Sequence, residues 1–276
     1  MKVPKPILVT AKLLEMISPK LATSFAIKLF ITPLKHTIPK RELHMETTSK
    51  QTFINLPTLN KKIVVYEYGE STKKILLVHG WSGRGTQLVK IADELVKTGF
   101  STVSFDAPAH GKSSGKSTIM TEFITSILVL EKKFGPFDAA IGHSLGGMAL
   151  LNAVKNNLQI KRLVIIGSGD KVPDIVDSFV AKLELQPKIS NLMQNRFEKK
   201  YGVKMNAFDA SFAAKEVVIP TLVIHDENDN EIPLSASKNI FQNLINGQLL
   251  ITKDLGHRKI LGDISVIKST LQFLTQ

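Results

Sequence analysis

At 276 residues the chain can bury a full core, as one large domain or two small ones. Its composition, 43% hydrophobic and 22% charged, is that of an ordinary globular protein and excludes a disordered one. The absence of cysteine excludes disulfides, thiolate catalysis and cysteine-bound metal sites, while the net charge of +12 bears on solubility and encounter before it bears on function.

The charge is concentrated at the start. Residues 1–45 carry Lys2, Lys5, Lys12, Lys20, Lys28, Lys35, Lys40 and Arg41 against Glu15 and Glu42, a net +6 and half of the total. Lys12 and Glu15 interrupt the apolar stretch and no small-residue cleavage site follows, so no signal peptide is expected. No window reaches the roughly 18 apolar residues of a membrane span, and a cytoplasmic location is the expectation. Leu13, Leu14, Ile17, Leu21, Phe25 and Leu29 can share one helical face, punctuated by Pro19 and Pro33. This spacing predicts one or two amphipathic helices packed on the body of the protein. A basic helix resting on a membrane surface and a lid over a site are the competing readings. Residues 1–60 are assigned to an N-terminal helical extension.

From residue 61 the pattern changes. Seven β-branched or apolar runs read as strands: 62–69, 75–80, 101–108, 138–144, 162–168, 221–227 and 248–252. Helical patterns separate most of them, near 86–98, 119–134, 145–157, 235–245 and 262–274. The alternation predicts an α/β fold, a doubly wound and mostly parallel sheet over 61–276. Residues 170–215 exceed one crossover helix and carry Phe179, Leu183, Leu192, Phe197, Tyr201 and Phe212, which predicts a small helical cap insertion.

The strongest local signal is Gly142-His143-Ser144-Leu145-Gly146-Gly147, which follows a strand and opens a helix. A sharp strand-to-helix turn there lifts Ser144 clear of the sheet, and glycines two positions to either side permit the strained backbone. A serine hydroxyl needs a base, and the base an acid to orient it. Of seven histidines, His257 lies in a loop between the last strand and the last helix, where the chain order Ser, acid, His places the base. The turn should point His143 away from Ser144, while His79 and His225 end strands and suit packing or hydrogen bonding. The acid is read as Asp229, with Asp226 and Asp170, also near C-terminal strand ends, as alternatives. Val78-His79-Gly80-Trp81 ends an early strand, so the backbone N–H groups of Trp81 and Leu145 are the expected oxyanion donors.

These residues together resemble the α/β-hydrolase superfamily, in its serine esterase and lipase-like branch. His79-Gly80-Trp81 resembles its oxyanion motif, residues 106–113 (DAPAHGKS) its D-x-P-x-x-G-x-S segment, and GHSLGG its nucleophile elbow. The HDENDNEIP stretch resembles its acid loop, and Gly256-His257 its base loop. The motifs fall in order, Asp229 following Ser144 by 85 positions and His257 following Asp229 by 28. The serine argues against the branches that use an aspartate nucleophile.

Other readings fail. Residues 111–118 (GKSSGKST) leave three residues where a phosphate loop needs four. No metal-ligand spacing is present, and no cofactor is expected. Nucleic-acid binding would rest on net charge alone. The expected activity is carboxylic ester hydrolysis through an acyl-enzyme, on a small ester with an apolar acyl or aryl group. Thioester and lysophospholipid substrates use the same triad, and a non-catalytic binding protein on this fold is the reading from another class. Weak peripheral membrane contact through the basic N-terminal segment is the reading that competes with packing on the body of the protein.

Overall fold

A computed structural model describes residues 3–276; Met1 and Lys2, part of the N-terminal segment read as helical, lie outside the described residues. Eight strands form one sheet: β1 (Lys50–Leu56), β2 (Lys61–Tyr68), β3 (Lys74–Val78), β4 (Ser101–Asp106), β5 (Ala139–His143), β6 (Arg162–Ile166), β7 (Thr221–Asp226) and β8 (Gly247–Thr252). Their order is β1-β2-β4-β3-β5-β6-β7-β8. β2 runs antiparallel to both of its neighbours and every other pairing is parallel. The helices are α1 (Lys5–Ile17), α2 (Pro19–Phe30), α3 (Leu43–Thr48), α4 (Val89–Lys97), α5 (Met120–Phe134) and α6 (Leu145–Lys155). Then come α7 (Val172–Lys182), α8 (Pro187–Tyr201), α9 (Ala210–Ala214), α10 (Leu234–Asn243), α11 (Gly256–Lys259) and α12 (Ile264–Thr275).

The apolar strand runs are buried on both faces because their side chains alternate between two cores. Ile75, Leu77, Val164 and Ile166 pack with α4 and α12, through Ile91, Leu95, Val266 and Phe273. Leu76, Val78, Leu163 and Ile165 pack on the other face, against Phe123 and Ile127 of α5 and Leu150 and Leu151 of α6.

Residues 50–56, within the segment expected to be helical, form the edge strand β1 instead. The run KQTFINL alternates, with Ile54 and Leu56 buried and Phe53 facing solvent, a period of two that a helix cannot serve. A short turn over Pro57–Leu59 and a left-handed Asn60, at φ +49°, return the chain into β2.

A third core lies off the sheet. Ala11 of α1 and Ala22 and Ala26 of α2 pack with Val176, Val180, Ile189, Met193 and Phe197 of α7 and α8. Three buried alanines let the helices approach closely. Pro19 separates α1 from α2, because proline disfavours helical geometry in the residue before it and Ser18 is extended. The N-terminal helices and the 172–201 helices thus form one helical layer.

Candidate active site

Ser144 sits between β5 and α6 at φ +53° and ψ −120°, a region that non-glycine residues avoid. Its amide donates to the Ile166 carbonyl (2.9 Å) and its carbonyl accepts from the Gly147 amide (3.0 Å), so sheet and helix both hold the strained residue. The turn is too tight for flanking side chains. A Cβ on Gly142 would lie 2.7 Å from the Gly146 backbone, and one on Gly146 would lie 2.4 Å from the Val78 carbonyl oxygen.

Asp229 follows β7 and His257 lies on α11; the fold brings their side chains together, with His257 Nδ1 2.6 Å from Asp229 Oδ2. The other carboxylate oxygen accepts from the amides of Glu231 (2.7 Å) and Ile232 (3.0 Å). Burial pushes the Asp229 carboxyl up, but the His257 hydrogen bond and these two amides outweigh it and hold it below the usual carboxylate range. His225 Nε2 is 3.7 Å from the same carboxylate, yet it donates to the Ile232 carbonyl (3.1 Å) while Nδ1 accepts from Ser237 Oγ (2.7 Å). Burial lowers its pKa, and both of its ring nitrogens are engaged by Ser237 and the Ile232 carbonyl rather than by Asp229.

The two alternative acids lie elsewhere. Asp226 accepts from the amides of Asn228 (3.1 Å), Leu255 (3.1 Å) and Gly256 (2.8 Å) and from Thr252 Oγ1 (2.8 Å), which spends its carboxylate on loop backbone. Asp170 accepts from the Ser211 amide (2.8 Å) and from Asn239 Nδ2.

Ser144, His257, Trp81 and Leu145 all line one cavity of about 930 Å³. Leu145 is the first residue of α6, where an amide has no intrahelical partner. The Trp81 indole is 37% exposed and meets the His110 ring edge-on, so it forms cavity wall rather than core. The rest of the lining is mostly apolar: Leu29 and Phe30 from α2, Ile175 and Phe179 from α7, and Phe197 from α8. Phe30 meets Phe179 and Phe197 edge-on, with ring centroids 5.1 and 6.1 Å away.

Several residues support the site, His79 through the hydrogen bonding expected of it and Glu42 in a role that the sequence does not suggest. His143 lies beneath His257, ring centroids 4.6 Å apart, and its Nε2–H donates to the His257 carbonyl (2.9 Å). Its Nδ1 is buried without a partner, and burial, followed by the nearby His257, pushes its pKa down to about 3. His79 takes the Ala107 amide on Nε2 (3.0 Å), and His110 takes the Ser82 amide (3.0 Å), which staples the loop bearing Trp81 to the loop after β4. Asp106, the first residue of the D-x-P segment, accepts from the Gly85 and Lys112 amides (both 2.7 Å) and from the Tyr66 hydroxyl (3.0 Å). Glu42, fully buried, accepts from Arg84 Nε (2.7 Å) and Thr86 Oγ1 (2.8 Å) and ties the N-terminal segment to the loop after Trp81. Only adjacency to Ser144 could have drawn attention to His143; nothing in the sequence marks Glu42. Among the described residues no group of three or more His, Asp or Glu side chains could hold a metal ion.

A family model for the alpha/beta hydrolase fold matches residues 73–218. A 2-hydroxy-6-oxononadienedioate/2-hydroxy-6-oxononatrienedioate hydrolase of Escherichia coli O81 (strain ED1a) is 21% identical over 255 residues, covering 74% of this chain and 88% of the relative. Among solved structures, the esterase EaEST from Exiguobacterium antarcticum superposes with a TM-score of 0.65 at 17% identity, covering 82% of this chain and 100% of the esterase. Est1E from Butyrivibrio proteoclasticus, with ferulic acid bound, gives 0.63 at 20% identity, covering 82% and 100%.

Proposed function

The chain belongs to the alpha/beta hydrolase fold family, and from that premise we propose that it is a serine hydrolase cleaving carboxylic esters with an apolar acyl or aryl group. The observation that carries this reading is the strained Ser144 opening onto the same cavity as His257, whose Nδ1 is engaged by Asp229 at 2.6 Å. With Nδ1–H committed to the carboxylate, the imidazole is held in the tautomer whose Nε2 lone pair can accept a proton.

In the proposed reaction the Ser144 oxygen attacks the ester carbonyl while His257 Nε2 takes its proton. Asp229 stabilises the imidazolium without taking a proton itself. The oxyanion accepts hydrogen bonds from the Trp81 and Leu145 amides, each donor of this kind being worth roughly 3–4 kcal/mol in the transition state. His257 returns the proton to the leaving alkoxide, and an acyl-Ser144 ester remains. Water, deprotonated by the same nitrogen, then releases the acid and restores Ser144. The apolar lining favours apolar acyl or aryl groups.

The test is hydrolysis of p-nitrophenyl esters from acetate to palmitate by the wild type and Ser144→Ala, with an acyl-thioester in parallel to rank leaving groups. Turnover by the wild type that Ser144→Ala loses, with the fold intact, is the expected result. Turnover retained in Ser144→Ala, or a wild-type Ser144 inert to both the series and a serine-directed phosphonate, would overturn the assignment.

A further inference from the structure

The outer face of the N-terminal helices has no partner among the described residues. On α1, Met16 is 84% and Ile17 73% exposed, Val9 and Leu13 are about half exposed, and Leu21 on α2 is similar. At helical spacing Val9, Leu13 and Met16 line up as one ridge with Ile17 beside it, and Lys5 and Lys12 flank that ridge. Ala11 points the other way, into the core shared with α7 and α8.

The unpaired charges that α1 and α2 carry around the ridge are positive. Lys5, Lys12, Lys20 and Lys28 are all exposed, and only Lys12 forms an ion pair among the described residues, with Glu184. The one acid of α1 and α2, Glu15, is spent on the protein, accepting from the Gln186 amide (3.0 Å). An apolar ridge edged by cations matches a surface that is apolar inside and anionic outside. A second copy of this chain matches it poorly, because pairing the ridge with itself would set like charges against each other.

We infer that the outer face of α1 and α2 docks on an anionic lipid bilayer, the ridge entering the acyl boundary and the lysines meeting the headgroup phosphates. The arrangement also orients the molecule. Leu29 and Phe30, on the same pair of helices, line the cavity, so docking holds the helical layer between bilayer and cavity. The docking itself does not depend on the hydrolytic reading.

The test is co-sedimentation of the full chain with vesicles of phosphatidylcholine alone and of phosphatidylcholine with about one third phosphatidylglycerol. Pelleting with the anionic vesicles, weakening as salt is raised, is expected. Lys5→Glu/Lys20→Glu/Lys28→Glu should lose at least about a hundredfold in affinity, since each lysine near such a surface contributes about fivefold. Leu13→Gln/Met16→Gln/Ile17→Gln should lose about tenfold or more, with an unchanged melting curve showing that the fold survives. A wild type that stays in the supernatant, or variants that pellet like it, would overturn the proposal. So would a concentration-dependent dimer without vesicle binding that the glutamine variant makes monomeric, which would assign the ridge to a second copy.

Discussion

Asp226 and Asp229 stand three positions apart at the end of β7 and hold the two halves of one loop: Asp226 binds the amides of Leu255 and Gly256, and Asp229 binds the His257 imidazole. One fixes the height of the backbone and the other the orientation of the ring. Their substitutions should therefore separate. Asp229→Asn is expected to fold normally and to lower kcat by roughly 10⁴-fold, since the amide stabilises the wrong tautomer. Asp226→Ala leaves the part-buried Leu255 and Gly256 amides without their acceptor and should cost about 1–3 kcal/mol of stability. Thermal melts with ester kinetics check both, and a wild-type kcat for Asp229→Asn would remove it from the acid role.

Glu42 is buried against Arg84, whose side chain is itself mostly buried. Removing the charge of one partner strands the other, so Glu42→Gln is expected to destabilise by about 3–5 kcal/mol. Because the pair braces the loop after Trp81, kcat should fall with stability even at temperatures where the variant is folded. Chemical denaturation at neutral pH measures the first effect, and a loss below about 1 kcal/mol would mean that the pair contributes little.

Acid should destabilise the molecule earlier than carboxylates alone would. Burial lowers the pKa of His79 well below 6.5, that of His110 to about 4 and that of His143 to about 3. A folded-state pKa below the unfolded value means that stability is complete above about 6.5 and is lost as the unfolded chain gains protons below it, by about 1.4 kcal/mol per pH unit for each group. Asp209 opposes this. Burial, then its neighbours Asp170 and Asp174, pushes it up to about 6, so it destabilises at neutral pH and is relieved as pH falls. Asp209→Asn keeps an acceptor for the Val172 amide and should raise Tm at pH 8 but not at pH 5. A melting temperature flat between pH 7 and 5 in the wild type would contradict the histidine argument.

Phe30 forms cavity wall through edge contacts to Phe179 and Phe197. On the hydrolytic reading, Phe30→Ala removes contacts with the acyl chain but none with the reacting carbonyl. KM for long-chain esters should rise about tenfold while kcat on acetate stays unchanged, because a lost apolar contact of this size amounts to roughly 1–3 kcal/mol. An equal loss on acetate and palmitate would place Phe30 in general support of the fold.

Much of this was legible in the chain itself. The apolar runs of β3, β5, β6 and β7 and the glycines around Ser144 reflect local rules, namely two-faced burial and a turn that excludes side chains, and local rules are written in consecutive residues. The parallel α/β sheet and the separation of Asp229 from His257 follow from the same order. β1 was missed because its seven residues follow a short helix, and their period of two covers only one turn of the pattern beyond Phe53. What tertiary structure alone decided is which neighbour each polar group meets. As sequence, Asp229 ranks ahead of Asp226 and Asp170, but the contacts that separate them are tertiary: the amides of a loop about 30 positions away engage Asp226 and leave Asp229 for the imidazole. The same holds for the N-terminal helices. Of the face that their spacing predicts to be buried, Leu13, Ile17 and Leu21 are exposed instead; Leu14, Phe25 and Leu29 join Ala11, Ala22 and Ala26 against residues 172–201, brought near because both segments must cover apolar surface that the sheet cannot.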